Sequence, residues 1–270
     1  GLVGSEMCIR DRRHSVISPD GTTIAFTYKG DIYTVPVAGG RAMQITTNPA
    51  YDTAPVWSPD SKRIAFASDR MGSLDVYIVA KDGGEPRRLT THSGSETPLA
   101  FTDAGHVLFS AGIMPSAEAV VFPSNGQFNQ VYRVSVEGGR PTMISSMPME
   151  CISINKEGAM LYQDKKGYED YWRKHHVSPI ARDIWMYTPG KEPQYRQLTT
   201  FGGEDREPVW APDGKTFYYL SEENGSFNIY RRTPGDAKAV QLTHYTKNPV
   251  RYLSAATDGR LCYGFDGEIY

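Results

Sequence analysis

A short turn motif recurs along this chain and constrains its fold more than any other feature. The clearest copy is Ser58-Pro59-Asp60-Ser61, which follows Val56-Trp57 and precedes Ile64-Ala65-Phe66-Ala67. Proline presets φ for the second position of a type I turn, and serine and aspartate can bond the turn's own amides. The apolar runs on either side are typical of buried strands. Five related turns lie at residues 18–21, 102–105, 155–158, 211–214 and 257–259.

A second motif follows each turn and suits a third strand that is entered from a turn. It consists of a polar, a β-branched and an aromatic residue: Asp31-Ile32-Tyr33, Asp75-Val76-Tyr77, Gln130-Val131-Tyr132, Asp183-Ile184-Trp185, Asn228-Ile229-Tyr230 and Glu268-Ile269-Tyr270. Three Gly-Gly pairs then indicate hairpins. A fourth short strand is predicted at Gln44-Ile45-Thr46, Arg88-Leu89-Thr90, Gln197-Leu198-Thr199 and Gln241-Leu242-Thr243.

Repeated units of four strands, about 40–55 residues apart, indicate the blades of a propeller. We therefore predict an all-β fold: a six-bladed β-propeller of four-stranded antiparallel blades, with the last blade incomplete. The blades begin near residues 13, 55, 98, 149, 207 and 248, and the domain spans residues 13–270. Residues 1–12 fit no blade and are interpreted as a non-native or artefactual leader. We expect the first strands to line a central channel and aromatic rings to stack between blades.

Composition argues against several functional classes. The formal net charge of −2 provides no general basic field for nucleic acid. No apolar run reaches the roughly 18 residues that a membrane-spanning helix needs. The cysteines Cys8, Cys151 and Cys262 lie far apart and predict isolated thiols, not disulfides or a metal site. The Gly-Gly pairs lie at hairpins and not at helix starts, where phosphates bind, so we predict no cofactor.

Two insertions interrupt the repeat and are the candidate contact surfaces. One lies in blade three at about residues 112–128, and the other lies in blade four at residues 165–182. The adjacent histidines of the second could bind a metal, but neighbouring side chains in an extended chain point in opposite directions. This insertion either covers a blade edge or lines a partner surface. The candidate partner or peptide contacts are Tyr168, Tyr171, Trp172, Arg173, Lys174, His175, His176, Arg182, Phe122 and Phe128.

Residues that recur in every unit are interpreted as structural, because catalysis would need only one copy. These blade markers are Asp31, Tyr33, Trp57, Asp60, Asp75, Tyr77, Asp183, Trp185, Trp210 and Asp213. No G-x-S-x-G elbow is present. Asp69 is expected to bond turn amides, and Arg70 is expected to pair across blades. The charged run Glu204-Asp205-Arg206-Glu207 is interpreted as a solvated loop that precedes a strand.

The repeat resembles that of Tol-type periplasmic propeller proteins and of propeller-bearing serine peptidases. Within that group the chain is most similar to the first, six-bladed propeller of tricorn-type peptidases. The resemblance rests on residues 17–26 and 30–36, on the insertion Phe122-Pro123-Ser124-Asn125-Gly126-Gln127-Phe128, and on the blade-four insertion that runs into Arg182-Asp183-Ile184-Trp185. It covers about residues 13–270. No catalytic residue of that family can be carried onto this chain.

The resemblance implies a non-catalytic domain that gates or channels peptides to or from a catalytic domain absent from this fragment. It implies peptides or unfolded protein as partners, other domains of the same chain, and homo-oligomers of the full-length peptidase. One alternative is a stand-alone Tol-like propeller that serves as a protein-interaction scaffold. Another is the propeller of a prolyl-oligopeptidase-like hydrolase. A periplasmic location is expected, with a cytoplasmic one as the alternative.

Overall fold

The structure is a computed structural model that describes residues 13–112, 129–167 and 177–270. Within these ranges every regular element is a β-strand, and the strands form six separate antiparallel sheets. None of these residues belongs to a helix long and apolar enough to cross a bilayer. The predicted fold class, a six-bladed β-propeller, is confirmed.

Blades one to three each contain four strands in chain order. Blade one consists of β1 (Arg13–Ile17), β2 (Thr23–Tyr28), β3 (Asp31–Pro36) and β4 (Met43–Gln44). Blade two consists of β5 (Asp52–Trp57), β6 (Arg63–Ser68), β7 (Asp75–Ala80) and β8 (Arg87–Arg88). Blade three consists of β9 (Glu96–Asp103), β10 (His106–Ala111), β11 (Gln130–Ser135) and β12 (Thr142–Ser145).

Blades four and five repeat this order, and blade six has three strands in the described residues. Blade four consists of β13 (Met149–Ile154), β14 (Met160–Asp164), β15 (Ile184–Thr188) and β16 (Gln194–Gln197). Blade five consists of β17 (Asp205–Trp210), β18 (Phe217–Ser221), β19 (Asn228–Arg232) and β20 (Val240–Gln241). Blade six consists of β21 (Arg251–Ala255), β22 (Leu261–Phe265) and β23 (Glu268–Ile269).

The first strands of the six blades form a closed ring. Each of β1, β5, β9, β13 and β17 contacts the first strand of the next blade, and β21 contacts β1. At the last junction the Ile17 N–H donates to Ser254 Oγ (3.1 Å), and the Thr257 N–H donates to the Pro19 carbonyl (2.9 Å). Ile17 and Cys262 share one buried apolar cluster there. Blades six and one are therefore joined by packing and by hydrogen bonds.

Aromatic rings pair within blades and, as expected, also between blades, where Tyr245 after β20 stacks on Phe265 of β22 with ring centroids 3.8 Å apart. Phe26 of β2 lies opposite Tyr33 of β3 with ring centroids 5.8 Å apart, and Phe66 of β6 lies opposite Tyr77 of β7 at 5.9 Å. The neighbouring blade contributes mainly aliphatic side chains, such as Ile32 against blade two. Strand register explains the ring pairs within a blade, because it places the two rings directly opposite each other on neighbouring antiparallel strands, where side chains are closest.

The first strands carry a recurrent bulge with one residue in the left-handed region. In blades one, two, four, five and six, the pairing register between the first and second strands shifts at this point. With φ between 51° and 58°, the residues in this conformation are His14, Ala54, Cys151, Glu207 and Tyr252. Pro98 occupies the matching place in blade three, and its ring fixes φ near −65°. The bulge re-aims one side chain on each of these five first strands.

Candidate functional site

The centre of the ring is the candidate site, because the six first strands surround it. Most described side chains of the first strands are buried or half-buried, but one position, the left-handed residue of the bulge, is exposed in two blades. His14 and Cys151 are exposed in this position. The His14 ring lies 5.2 Å from the Tyr252 ring, and His14 Nδ1 lies 3.3 Å from Thr53 Oγ1. His14 therefore contacts the blades on both sides of its own.

These groups do not form a nucleophilic centre. The blades that surround Cys151 withdraw its thiol from bulk water and raise its pKa well above its usual range, and Glu207 and Glu150 add to the rise. Part of the side chain is nevertheless exposed on β13. A protonated thiol is a poor nucleophile. The Thr53 hydroxyl lies near His14, but Thr53 is buried, so a substrate carbonyl cannot reach it.

A buried network of charged side chains lies between blades four and five. The Arg206 Nε–H donates to Glu204 Oε2 (2.7 Å), and both residues are about 2% exposed or less. Arg182 contacts Glu204 Oε1 (3.4 Å) and Glu150 Oε2 (3.2 Å). Opposite charges at these distances compensate each other only because the pairs are hydrogen-bonded. The network fixes the two blades to each other.

The charged run 204–207 was wrongly interpreted as a solvated loop. Glu204, Asp205, Arg206 and Glu207 are all buried. Glu207 Oε2 accepts from the Leu253 N–H of blade six (2.8 Å), so the run contacts blades on both sides. The sequence did contain a signal that Asp205 belongs to the repeat and not to a solvated loop. In three first strands, an acidic residue lies five residues before the last aromatic residue. These acidic residues are Asp52, Glu96 and Asp205.

Carboxyl groups meet at three of the blade junctions. Each pair joins the aspartate of a third strand to the acidic residue that opens the next blade: Asp31 with Asp52, Asp75 with Glu96, and Asp183 with Asp205. Burial raises the pKa of Glu96 to about 7, and Asp75 adds to the rise. Burial likewise raises the pKa of Asp205 to about 7, with Asp183 adding to it. Two carboxyls at one buried site favour one proton between them.

A cationic side chain lies beside each carboxyl pair. Arg70 contacts both oxygens of Asp52 (3.0 and 2.9 Å), Arg88 lies 2.8 Å from Asp75, and Lys166 lies 2.5 Å from Asp183. Arg70 was expected to pair across blades, but Asp52 belongs to its own blade, because the loop after β6 returns beside the start of β5. Asp69 Oδ1 accepts from the Tyr51 N–H (2.7 Å).

A threonine two residues after the end of the fourth strand explains the third-strand motif of the sequence. Its hydroxyl oxygen accepts from the N–H of the β-branched residue in the third strand. The distances are 3.0 Å for Ile32 to Thr46 and 2.9 Å for Val76 to Thr90, Ile184 to Thr199 and Ile229 to Thr243. The side chains of Gln44 and Gln197 donate to Asp31 and Asp183 at 3.0 Å. The third-strand motif and the segment from the fourth strand to its threonine are therefore halves of one hydrogen-bonded unit.

The remaining marker residues hold turns and join strands. Asp60 Oδ1 accepts from Ser58 Oγ (2.5 Å) and the Lys62 N–H (3.2 Å), and Asp213 Oδ1 accepts from the Lys215 and Thr216 amides (2.9 and 2.8 Å). The indole N–H groups donate to Val16 O from Trp57 (3.0 Å), to Ala159 O from Trp210 (3.1 Å) and to Asp164 Oδ2 from Trp185 (3.1 Å). The first two of these bonds cross a blade junction.

Most of the predicted contact residues lie outside the described residues. These are Phe122, Phe128, Tyr168, Tyr171, Trp172, Arg173, Lys174, His175 and His176. Arg182 is described, and its guanidinium is buried against Glu150 and Glu204 instead of facing a partner. Within the three described ranges, no group of three or more His, Cys, Asp or Glu side chains is arranged to hold a metal ion.

Comparisons with known proteins agree with this architecture. The family model of the tricorn protease N-terminal beta propeller domain matches residues 12–270. Tricorn protease homolog 1 of Streptomyces coelicolor is 26% identical over 93% of this chain and 23% of its own length. The tricorn protease homolog of Saccharolobus solfataricus is 23% identical over 93% of this chain and 22% of its own length. The chain thus spans less than a quarter of these relatives.

Solved structures show the same fold at lower sequence identity. The crystal structure of the tricorn protease superposes with a TM-score of 0.76 at 20% identity, over 96% of this chain and 25% of that one. TolB from Acinetobacter baumannii superposes with a TM-score of 0.64 at 16% identity, over 93% of this chain and 63% of that one. The family model covers nearly the whole chain and the blades match its fold, so the chain belongs to the family of tricorn protease N-terminal β-propeller domains.

Proposed function

We propose that this propeller is a non-catalytic part of a tricorn-type serine peptidase, in which it gates or channels peptides to or from a catalytic domain. The observation that carries the proposal is the closed ring of first strands, on which the side chains of His14 and Cys151 are exposed. Family membership supplies the peptidase context. The chain spans 23% of the Streptomyces relative, which leaves room in such a parent for a separate catalytic domain.

The chemistry of the opening supports guidance and not cleavage. The Cys151 thiol is protonated near neutral pH, because burial and two nearby carboxylates raise its pKa. The charged groups of blades four and five neutralise one another within a buried network. Because the Glu204, Arg206 and Arg182 side chains are paired and buried, they are not available to cleave a passing peptide. We further propose that the full-length protein forms homo-oligomers and that the propeller contacts other domains of its own chain. A periplasmic location stays a prediction.

A comparison of this chain with its longer parent protein tests the proposal. The reagents are a fluorophosphonate, which labels reactive serines, and a fluorescent peptide derived from an unfolded protein. We expect the 270-residue chain to bind the peptide and leave it intact, without being labelled. We expect the parent to be labelled and to cleave the peptide. Binding and cleavage are followed by fluorescence anisotropy and mass spectrometry.

The same comparison separates the alternatives. A stand-alone interaction scaffold predicts peptide binding, with neither chain labelled. A prolyl-oligopeptidase-like hydrolase predicts that the parent is labelled and that its cleavage is confined to proline sites. Failure of the 270-residue chain to bind any unfolded peptide would contradict the channel proposal.

A further inference from the structure

We infer that the outer edge of blade six binds an extended segment of a partner polypeptide with the sequence Gln or Arg, then Ile or Leu, then Thr. The site is formed by β23 and the residue that follows it, Tyr270. It lies at the end of the blade opposite the first strand β21, because the sheet order is β21-β22-β23. The inference is therefore independent of the proposed channel function.

The hydrogen-bonding pattern of β23 directs one residue toward this edge. Tyr270 and Tyr263 exchange two main-chain hydrogen bonds (2.9 and 3.1 Å). The adjacent residue Ile269 lies opposite Gly264, and in antiparallel pairing its N–H and C=O therefore point away from β22. Within the described ranges, neither group has a hydrogen-bond partner on that side. Ile269 is buried, so its unpaired groups cost free energy that an added strand would recover.

Four other blades show which kind of segment fills this position. The residues that correspond to Ile269 there are Ile32, Val76, Ile184 and Ile229. In each case the carbonyl accepts at 2.8 Å from the N–H of an isoleucine or leucine: Ile45, Leu89, Leu198 or Leu242. In each case the N–H donates at 2.9–3.0 Å to the hydroxyl of the threonine that follows. One short sequence therefore makes the same two main-chain contacts four times.

An acidic residue at the start of the third strand selects the polar residue of the segment. Gln44 donates to Asp31 at 3.0 Å, and Arg88 lies 2.8 Å from Asp75. Glu268 occupies the place of these aspartates in blade six and forms no ion pair with any described residue. A glutamine or arginine of the bound segment would supply the missing donor.

The apolar residue of the segment completes a cluster between blades six and one. At the next junction, Ile45 of blade one shares a buried cluster with Tyr77 of blade two, which is 4% exposed. The corresponding cluster joins Ile269 to Tyr33, but it contains no fourth-strand residue of blade six among the described residues. Tyr33 and Tyr263 are only half-buried, so the position is accessible.

The chain has no spare copy of the sequence that fits this edge. Its four copies lie at residues 44–46, 88–90, 197–199 and 241–243. Each copy is already bonded to the third strand of its own blade. A second molecule of this chain could donate one only by breaking those bonds. The occupant is therefore a different polypeptide, which adds a strand to the exposed edge.

The test measures binding of a fluorescent heptapeptide that copies residues 194–200 to the 270-residue chain, by anisotropy. Two matched peptides each remove one contact. The first carries an N-methyl group on its leucine, which removes the N–H that donates to the Ile269 carbonyl. The second has valine in place of its first threonine, which removes the hydroxyl that accepts from the Ile269 N–H. Glu268→Ala changes the site, and Glu157→Ala, in an exposed turn of blade four, is its control.

We expect the unmodified peptide to bind and to raise the melting temperature of the chain. Each modified peptide should bind roughly tenfold more weakly, because it lacks one main-chain contact to Ile269. Glu268→Ala should weaken binding of the unmodified peptide several-fold, and Glu157→Ala should leave it unchanged.

Failure of the unmodified peptide to bind, or equal binding of all three peptides, overturns the site. A dimer of the peptide-free chain that dissociates when the peptide is added, measured by sedimentation, would assign the edge to a second copy and overturn the choice of a different polypeptide. These outcomes leave the channel function standing, since the site lies outside the ring of first strands.

Discussion

Glu204→Ala will lower the free energy of unfolding by about 3–5 kcal/mol, because it leaves two buried guanidinium groups without their shared carboxylate. Glu204 is 1% exposed, and it contacts Arg206 at 2.7 Å and Arg182 at 3.4 Å. Arg206 is 2% exposed and lies over the Phe227 ring at 5.1 Å, so it cannot turn to solvent without disturbing the packing. Urea unfolding followed by tryptophan fluorescence measures the change.

Two further variants make this prediction specific. Glu137 forms an ion pair with Arg87 at 2.8 Å, but both side chains are at least half exposed, so Glu137→Ala should leave the urea midpoint nearly unchanged. The double variant Glu204→Leu/Arg206→Met should be less destabilised than Glu204→Ala, because it removes a charge together with its counter-charge. A small effect of Glu204→Ala, similar to that of Glu137→Ala, would show that the network does not hold blades four and five together.

Glu96→Gln will make the protein more stable above pH 7 and flatten the dependence of its stability on pH. Burial and Asp75 raise the pKa of Glu96 to about 7 in the folded protein, from an ordinary value of 4.5. Between these values the folded state holds a proton that the unfolded state has released. The free energy of unfolding therefore falls as pH rises from about 4.5 to about 7, by roughly 3 kcal/mol for this group.

Chemical unfolding of wild type and Glu96→Gln at pH 5, 6, 7 and 8 measures this difference. Glutamine keeps a hydrogen-bond donor for Asp75 and has no charge to bury, so the two stability curves should separate progressively above pH 5. Asp205→Asn should act with the same sign at its own junction, where burial and Asp183 raise the pKa of Asp205 to about 7. Parallel curves for Glu96→Gln and wild type would mean that Glu96 is ionised in the folded protein at pH 5.

The blade repeat could be read from the sequence because local chemistry determines it. Asp60 bonds Ser58 and the Lys62 amide within one turn, so the turn forms wherever these residues recur. The pairing of third and fourth strands was predictable for the same reason, since the Ile32 N–H and Thr46 Oγ1 bond lies within one blade. Features contained in a single blade leave a sequence pattern that recurs once in each blade.

Features that depend on a neighbouring blade were not predictable in this way. The charges at 204–207 look like those of a solvated loop until Glu150 and Arg182 of blade four are placed beside them. Arg182 was assigned to a partner surface because its counter-ions are 22 and 32 residues away in sequence. Likewise, His14 and Tyr252 are separated by almost the whole chain and meet only when the ring closes.

Modification of Cys151 in the proposed parent peptidase tests the channel proposal most directly. Cys151 is exposed on the first strand of blade four, and excess reagent is needed because its pKa is raised. A bulky maleimide at this position is predicted to slow cleavage of a long unfolded peptide several-fold, while Cys151→Ser treated identically keeps its rate. Mass spectrometry confirms the label. Equal rates for the labelled parent and the serine variant would contradict passage of peptides through this ring.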